Sequence, residues 1–249
     1  MRIRAVSIVA VLLTALLSAS CGGNDKDSSN AVRPQAFDPT NADALARAAL
    51  LVAIDLPGVG WKATDDKFAE DPDELTSCKE LNSLRGDART SAVGRATREL
   101  ARRGSNAGPY VHSEVYIYRD PVSGDDLLRR YKAIDSGTGF LSCYEAELKE
   151  LFEGNGRATI KRVPASGKAP NGGLSVAVEL ELAAAGTLNL RSEDYFWTSG
   201  NATIAVTISA VKTNFSPDLV RAAITKAKNS ADDAARGKRQ AVTEAEAGN

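Results

Sequence analysis

The strongest constraint on the fold is an uninterrupted two-residue alternation between residues 174 and 182. The aliphatic positions are Leu174, Val176, Val178, Leu180 and Leu182, and the positions between them are serine, alanine and glutamate. This period places all the aliphatic side chains on one face of a β-strand, as in an antiparallel sheet that is covered on one side. The chain must therefore provide partner strands and a cover for that face.

Partner strands are predicted on both sides of this segment. Residues 157–163 precede it, and residues 188–197 and 202–210 follow it. The last two are separated by Ser199-Gly200-Asn201, a hairpin turn signal. The C-terminal half therefore reads as an antiparallel meander.

The N-terminal half adds two strands and several helices. Residues 110–118 alternate clearly, and we assign residues 92–103 to a strand that pairs with them, although helix propensity competes there. Helical patterns occur at residues 41–53, 71–84, 121–133 and 139–152, and again after the capping residue Ser216. The predicted fold class is α+β, an antiparallel meander sheet with helices packed on it.

The N-terminus has the pattern of an export signal. Arg2 and Arg4 precede an apolar stretch at residues 8–17, which is shorter than the roughly 20 residues of a spanning helix. Small residues at 18–20 lead to Cys21. No later stretch is apolar for long enough to span a membrane.

Cys21 has two interpretations. It is either the acylated first residue of a bacterial lipoprotein or an incidental thiol near an ordinary cleavage site. Ala19 and Ser20 match the lipobox, whereas Ser18 departs from it and Leu17 is displaced by one position. We predict a lipoprotein in which acyl chains such as palmitate on Cys21 partition into membrane lipid. The protein would then lie on the extracytoplasmic face of the cell membrane.

These features divide the chain into four parts. We predict a signal peptide at residues 1–20, a flexible linker at 21–36, a single α+β domain at 37–228 and a charged, alanine-rich tail at 229–249 that frays.

The two remaining cysteines favour a disulfide. With Cys21 acylated, Cys78 and Cys143 form an even pair in an oxidising compartment. A bridge between them would stabilise the fold by about 4 kcal/mol in the chain-entropy model. A zinc site or a catalytic pair with His112, the one histidine, is less well supported because the ligand number and the spacing do not require either.

The order of these motifs resembles a known family. The sequence LPGVGW at residues 56–61 is followed by Cys78, by VYIY at residues 115–118, by Cys143, and by a Gly200-Asn201 turn. This order is similar to that of actinobacterial lipoproteins with sensor-type domains related to the extracytoplasmic domain of mycobacterial receptor serine/threonine kinases.

The resemblance covers residues 44–228 and implies a fold near the PsbP-like class. It also implies ligand sensing or binding at the cell envelope, with no catalytic residues. The receptor domain carries more cysteines than this chain, so one of its disulfides would be missing here.

Several function classes are disfavoured by the residues themselves. The formal net charge of −1 argues against nucleic-acid binding. The sequence contains no nucleophile elbow, phosphate-binding loop or zinc-protease motif. His112 is interpreted as a structural or surface residue. The acidic run at residues 65–74 lacks the spacing of a calcium loop, so we predict no metal and no cofactor.

Two function classes remain. The favoured one is a non-catalytic module that binds an unknown envelope ligand or protein, and the alternative is an envelope hydrolase with an unrecognised active site. On the strand at residues 188–197, Tyr195 and Trp197 share a face with charged residues, which predicts a less covered surface and a candidate ligand platform. The alternative is that Trp197 only caps the core. The aliphatic residues of the following strand are expected to pack under the closing helix.

Overall fold

An antiparallel sheet with helices on both faces organises the chain. The computed structural model describes residues 39–64, 79–102, 108–137, 139, 141–143, 145–146, 157–183, 187–211 and 216–241. The helices in this part are α1 (Ala42–Ala49), α2 (Lys79–Ser91), α3 (Pro121–Ser136) and α4 (Pro217–Ala235). The strands are β1 (Trp61–Thr64), β2 (Gly94–Arg102), β3 (Tyr110–Ile117), β4 (Arg157–Arg162), β5 (Leu174–Ala183), β6 (Thr187–Ser199) and β7 (Ala202–Val211).

The strands lie in the order β1-β2-β3-β7-β6-β5-β4. Two antiparallel runs, β1 to β3 and β4 to β7, are joined through α3, and β7 closes the sheet by pairing with β3. The α+β class, the meander and the assignment of residues 92–103 to a strand beside β3 are thereby confirmed. Because β7 and β6 lie at the centre of the sheet, both of their faces are covered.

The first face of the sheet packs against α1 and α4. Ile204, Val206 and Ile208 of β7 lie in this cluster, which confirms the expected contact with the closing helix. The face of α4 that packs on the sheet is formed by apolar residues at helical spacing, namely Leu219, Val220, Ala223, Ile224 and Ala227. Each fully buried large aliphatic side chain contributes about 1.5–3 kcal/mol to such a core.

The close approach of α1 to the sheet depends on one glycine. A Cβ atom at Gly94 would lie 2.3 Å from the backbone carbon of Ala42, so no larger residue fits there without moving the helix. The buried alanines of α1 serve the same purpose, because small side chains let the helix lie near β2.

The second face packs against α2 and α3. α3 begins with an Asp120 cap, whose carboxylate accepts a hydrogen bond from the Ser123 backbone at 2.9 Å. Its Tyr131 ring stacks on Phe196 of β6 at 5.6 Å between centroids. Leu81 of α2 and Leu127 of α3 join the same cluster.

The end of α4 corrects one expectation. The helix continues past Asn229 to Ala235, and Arg239 donates a hydrogen bond to the Leu50 carbonyl at 3.0 Å. The buried residues of this last part are Ser230, Ala231 and Ala234. Fraying beyond Asn229 is therefore wrong for the described residues up to 241, because small side chains on this helix face pack into the first core.

Other expectations fall partly outside the described residues. The helix predicted at residues 71–84 is described only from Lys79 and extends to Ser91. Of the helix predicted at 139–152, helical residues are described at 141–143 and 145–146.

Candidate functional site

Glu193 and Asp194 are consecutive acidic residues of β6 that lie in different environments. Successive side chains of a strand point to opposite faces, so Glu193 lies on the first face and Asp194 on the second. Both are buried, with exposed fractions of 0% and 4%. Burial of a carboxylate is costly unless hydrogen bonds or a cation compensate, so the partners of each acid decide its role.

Hydrogen bonds and an ion pair with Arg191 offset the cost of burying the Glu193 carboxylate. Its carboxylate accepts hydrogen bonds from the Ser166 backbone at 2.9 Å and the Ser166 hydroxyl at 2.7 Å. Arg191 donates from Nε at 2.9 Å and Nη2 at 2.6 Å, and the Tyr195 hydroxyl donates as well. Burial alone would raise the pKa of Glu193, but the hydrogen bonds from Tyr195, Ser166 and Arg191 hold that pKa below its ordinary value.

This network fastens the segment between β4 and β5 to the first face. Arg191 also donates to the Pro164 carbonyl at 2.9 Å, and the Gly167 backbone donates to the Tyr195 hydroxyl at 3.1 Å. A Cβ atom at Gly167 would lie 2.8 Å from Ile224 of α4, so the segment lies close against that helix. Glu193 therefore has a structural role.

Asp194 belongs to a different group, which we call the polar band. It comprises the second-face residues Thr97, His112, Glu114, Ser192, Asp194, Thr207 and Ser209. Strand register places them in adjacent rows across β2, β3, β7 and β6. All except His112 are buried. Such a concentration of polar side chains in a sheet interior is unusual and calls for a physical explanation.

The cost of burying the Asp194 carboxylate is offset less well. The Thr207 hydroxyl donates to its carboxylate at 2.6 Å. Burial raises the pKa of the Asp194 carboxyl to about 7; the negative charge of Glu193 adds to the rise, and the bond from Thr207 opposes it. Among the described residues it forms no ion pair. A carboxyl in this state exchanges its proton near neutral pH.

Two hydroxyls of the polar band have no hydrogen-bond partner. Among the described residues, the Ser192 hydroxyl, on a side chain with 0% exposure, and the Thr97 hydroxyl are buried and unpartnered. A buried polar group without a partner costs about 1–3 kcal/mol. In proteins, an ordered water, an ion or a ligand commonly completes the hydrogen bonds of such groups.

The polar band is graded in exposure. Its β6 and β7 members are buried, whereas His112 on β3 is half-buried. At the same side, Arg95 lies 3.5 Å from the Glu114 carboxylate and 5.1 Å from the centre of the Tyr116 ring. The band is therefore buried on β2, β7 and β6, and among its members only His112 on β3 is partly accessible.

The chemistry of the polar band suits uncharged polar groups. Hydroxyls donate and accept, and a carboxyl of near-neutral pKa can do either according to its protonation. The cation at its edge, Arg95, already faces Glu114. Among the described residues, no group of three or more histidine, cysteine or acidic side chains is arranged to hold a metal ion.

Tyr195 and Trp197 do not form the less covered surface that their sequence predicts. Both have 0% exposure and lie in the first core cluster. Their cross-strand partners on β7 are Val206 and Ile204, so the aromatic rings share the aliphatic face under α4. The predicted accessible platform is wrong, because the charges that accompany the rings, Arg191 and Glu193, are compensated inside the protein.

Of the three predicted cysteine sites, only Cys143 lies within the described residues. Cys21 and Cys78 lie outside the described residues. Cys143 is half-buried against the second core cluster and is not a free thiol. The Cys78–Cys143 disulfide and the acylation of Cys21 stay predictions. The acidic run at 65–74 also lies outside the described residues, which end at Thr64 on that side.

The sequence contains a signal for the polar band. In the two-residue alternation of residues 188–197, Ser192 and Asp194 share a face with Leu188, Leu190 and Phe196. In a strand at the centre of a sheet, polar residues on either face become buried. Polar residues in two predicted neighbouring strands are therefore the signal for a buried polar cluster.

None of the described helices is both long enough and apolar enough to cross a membrane.

The chain is similar to two solved structures at the level of the fold. One is the extracellular domain of PknH from Mycobacterium tuberculosis, with 12% identity, 82% of this chain and 99% of that chain covered, and a TM-score of 0.42. The other is an uncharacterised protein of Mycobacterium smegmatis, with 15% identity, 78% and 98% covered, and a TM-score of 0.33. No family model and no curated protein sequence matches the chain.

Proposed function

We propose that this chain is an extracytoplasmic lipoprotein whose folded domain binds a polar ligand or partner of the cell envelope without catalysis. Acylated Cys21 would attach it to membrane lipid, and the polar band would be the binding centre. The observation that carries the binding proposal is the pair formed on the second face of β6 by Asp194 and the unpartnered hydroxyl of Ser192. A ligand that supplies their missing hydrogen bonds would offset the cost of their burial.

The anchoring proposal rests on sequence. The apolar stretch at residues 8–17, the small residues at 18–20 and Cys21 have the order that lipid attachment requires. The polar residues that follow suit a spacer between bilayer and domain.

Native mass spectrometry of protein extracted from its own membrane tests both proposals together. We expect the mass of a chain beginning at residue 21 with added acyl chains, and a further mass from a non-covalent ligand. If Cys78 and Cys143 are bridged, an alkylating reagent would label neither of them before reduction and both of them after reduction. A mature chain without acyl mass and without any ligand mass would contradict the proposed function.

A hydrolase is the second candidate, and one observation favours it. A carboxyl with a pKa of about 7, as at Asp194, is suited to proton transfer at neutral pH. If the domain were a hydrolase, Asp194→Asn would lower turnover of the bound compound by at least about 100-fold while the compound still bound. A binding domain would show no turnover with either protein.

A further inference from the structure

The segment that follows α1, which we call the strap (residues 50–56), is buried although little of it is regular structure. Its leucine side chains lie in the first core, with exposed fractions of 1% at Leu50, 0% at Leu51 and 4% at Leu56. Its one regular element is a short 3₁₀ helix at Ala53–Asp55. The buried backbone groups of such a segment need hydrogen-bond partners elsewhere in the protein.

Both ends of the strap are fixed. α1 precedes it and lies close against β2 at Gly94. Pro57 follows it, and the Pro57 carbonyl accepts hydrogen bonds from the Trp61 indole and from Arg102 Nη2, each at 3.0 Å. Movement of the strap is therefore confined to the residues between these two points.

One side chain from beyond α4 holds the strap. Arg239 Nη2 donates to the Leu50 carbonyl at 3.0 Å and to the Asp55 carboxylate at 3.1 Å, and Nη1 donates to the Ser230 hydroxyl of α4. The Asp55 side chain is 9% exposed, and its carboxylate also accepts a hydrogen bond from the Val52 backbone at 2.9 Å. Arg239 therefore bonds the strap at two points and joins it to α4.

The strap also contacts the sheet through longer hydrogen bonds. Arg98 Nη1 on β2 donates to the Leu51 carbonyl at 3.3 Å, and the Leu51 backbone donates to the Ser113 hydroxyl on β3 at 3.4 Å. Hydrogen bonds between N–H and oxygen are most favourable at about 2.9–3.0 Å, and an ionised pair strengthens them. The bonds from Arg239 are therefore better placed to hold the strap than these two bonds to the sheet.

Arg239 can move without disturbing the packing of α4. The buried residues of α4 end at Ala234, and Arg239 lies after an exposed turn formed by Arg236, Gly237 and Lys238. Gly237 has a φ of +67°, which favours glycine. A change in this turn alone would withdraw the guanidinium from the strap.

We propose that Arg239 is a latch that holds the strap closed, and that its withdrawal opens residues 50–56 while the sheet stays folded. Opening would uncover the leucines of the strap, together with Arg98 and Ser113, which are cross-strand neighbours on the first face. The residues after α4 would thereby control access to this part of β2 and β3. The polar band lies on the opposite face of the sheet, so the latch does not depend on the proposed function.

Hydrogen exchange of the backbone amides, measured at several low urea concentrations, tests the proposal. The chain is used from residue 21 with Cys21→Ser, which retains every described residue. The amides of Leu51, Val52 and Asp55 should exchange faster than those of β7 and with a smaller dependence on urea, because a local opening exposes less surface than global unfolding. In Arg239→Gln they should exchange at least about tenfold faster and keep this small dependence, since opening no longer breaks the charge-assisted bonds.

Arg236→Gln is the matched control, because it removes an exposed ion pair with Asp233 from the same turn and should leave strap exchange unchanged. Asp55→Asn, which can still accept the bond from Val52, should also speed strap exchange, and the effects of Asp55→Asn and Arg239→Gln should not add. If Arg239→Gln does not fold, Asp55→Asn provides the same comparison. The proposal is overturned if strap amides match those of β7 in rate and urea dependence, if Arg239→Gln leaves strap exchange unchanged, or if Arg236→Gln speeds it equally.

Discussion

At the scale of single residues, neighbours in sequence can have unrelated roles. Glu193 and Asp194 are consecutive, yet one carboxylate accepts several hydrogen bonds and the other is bonded by Thr207. The strand geometry separates them, and the partners on each face decide their protonation.

Asp194 gives the folded protein a specific pH dependence. Its pKa is about 7 in the folded protein against an ordinary value of 3.8, so the folded state retains a proton that the unfolded chain releases between these values. The free energy of unfolding should therefore fall as pH rises from about 4 to about 7. Asp194→Asn should stabilise the protein by about 2–4 kcal/mol at pH 8 and much less at pH 4.

Urea denaturation across this pH range measures the effect. Asp218→Asn is a control because it removes an exposed carboxylate of α4. The proposed protonation of Asp194 would be refuted if the unfolding free energies of Asp194→Asn and the parent differed by the same amount at pH 4 and at pH 8.

Trp197 is predicted to stabilise the first core. Trp197→Ala removes a fully buried ring beside Ile204 and should cost about 3–5 kcal/mol. Chemical denaturation measures this loss, and Val122→Ala, at an exposed site, should change stability by less than about 0.5 kcal/mol. A small effect at Trp197 would mean that the ring is not part of the core.

At the scale of elements, the segment between β4 and β5 depends on one carboxylate. Glu193 fastens Ser166 to β6, so Glu193→Gln should release the backbone around Ser166 and cost about 2–4 kcal/mol. Because the pKa of Glu193 is lowered in the folded state, this stabilisation is present at neutral pH and is lost as pH falls through that lowered pKa.

Hydrogen exchange of the backbone amides in residues 163–173 reports this change directly. Exchange should become faster in Glu193→Gln and remain unchanged in Glu181→Gln, where the side chain is exposed on β5. Unchanged exchange in Glu193→Gln would show that other contacts hold the segment.

The sequence predicts elements better than it predicts their faces. The alternation of β5 identifies a strand, and the turn at Gly200 identifies the hairpin of β6 and β7. It does not identify which face of β6 is apolar, because both faces of a central strand are buried. The pairing of β3 with β7 joins distant parts of the chain, and no local pattern specifies it.

The candidate site was harder to predict for the same reason. The sequence predicts a surface position for Tyr195 and Trp197 because they share a strand face with Arg191 and Glu193. The sequence does not show that Ser166, remote in the chain, compensates Glu193. Similarly, the position of Ser192 and Thr97 on one face follows from strand register and not from periodicity.

At the scale of the whole molecule, we propose that lipid attachment at Cys21 does not contribute to the stability of the folded domain. Cys21→Ser should therefore move the protein from the membrane fraction to the medium without changing its melting temperature. Cell fractionation and a thermal melt of the released protein measure the two effects. Persistence of the variant in the membrane fraction would contradict lipid attachment at Cys21.

The central claim is that the polar band binds a ligand, and the measurement that tests it most directly is ligand retention compared between two buried serines. Ser192 and Ser113 both have 0% exposure on central strands, but Ser192 lies in the polar band, whereas Ser113 on the first face accepts a hydrogen bond from the Leu51 backbone at 3.4 Å. Native mass spectrometry of protein from its own membrane should show a ligand on the parent chain and on Ser113→Ala. It should show at least about tenfold less ligand on Ser192→Ala, which should melt no lower than the parent because it loses an unpartnered hydroxyl. Equal retention by Ser192→Ala and the parent, or no ligand on the parent, would contradict the account.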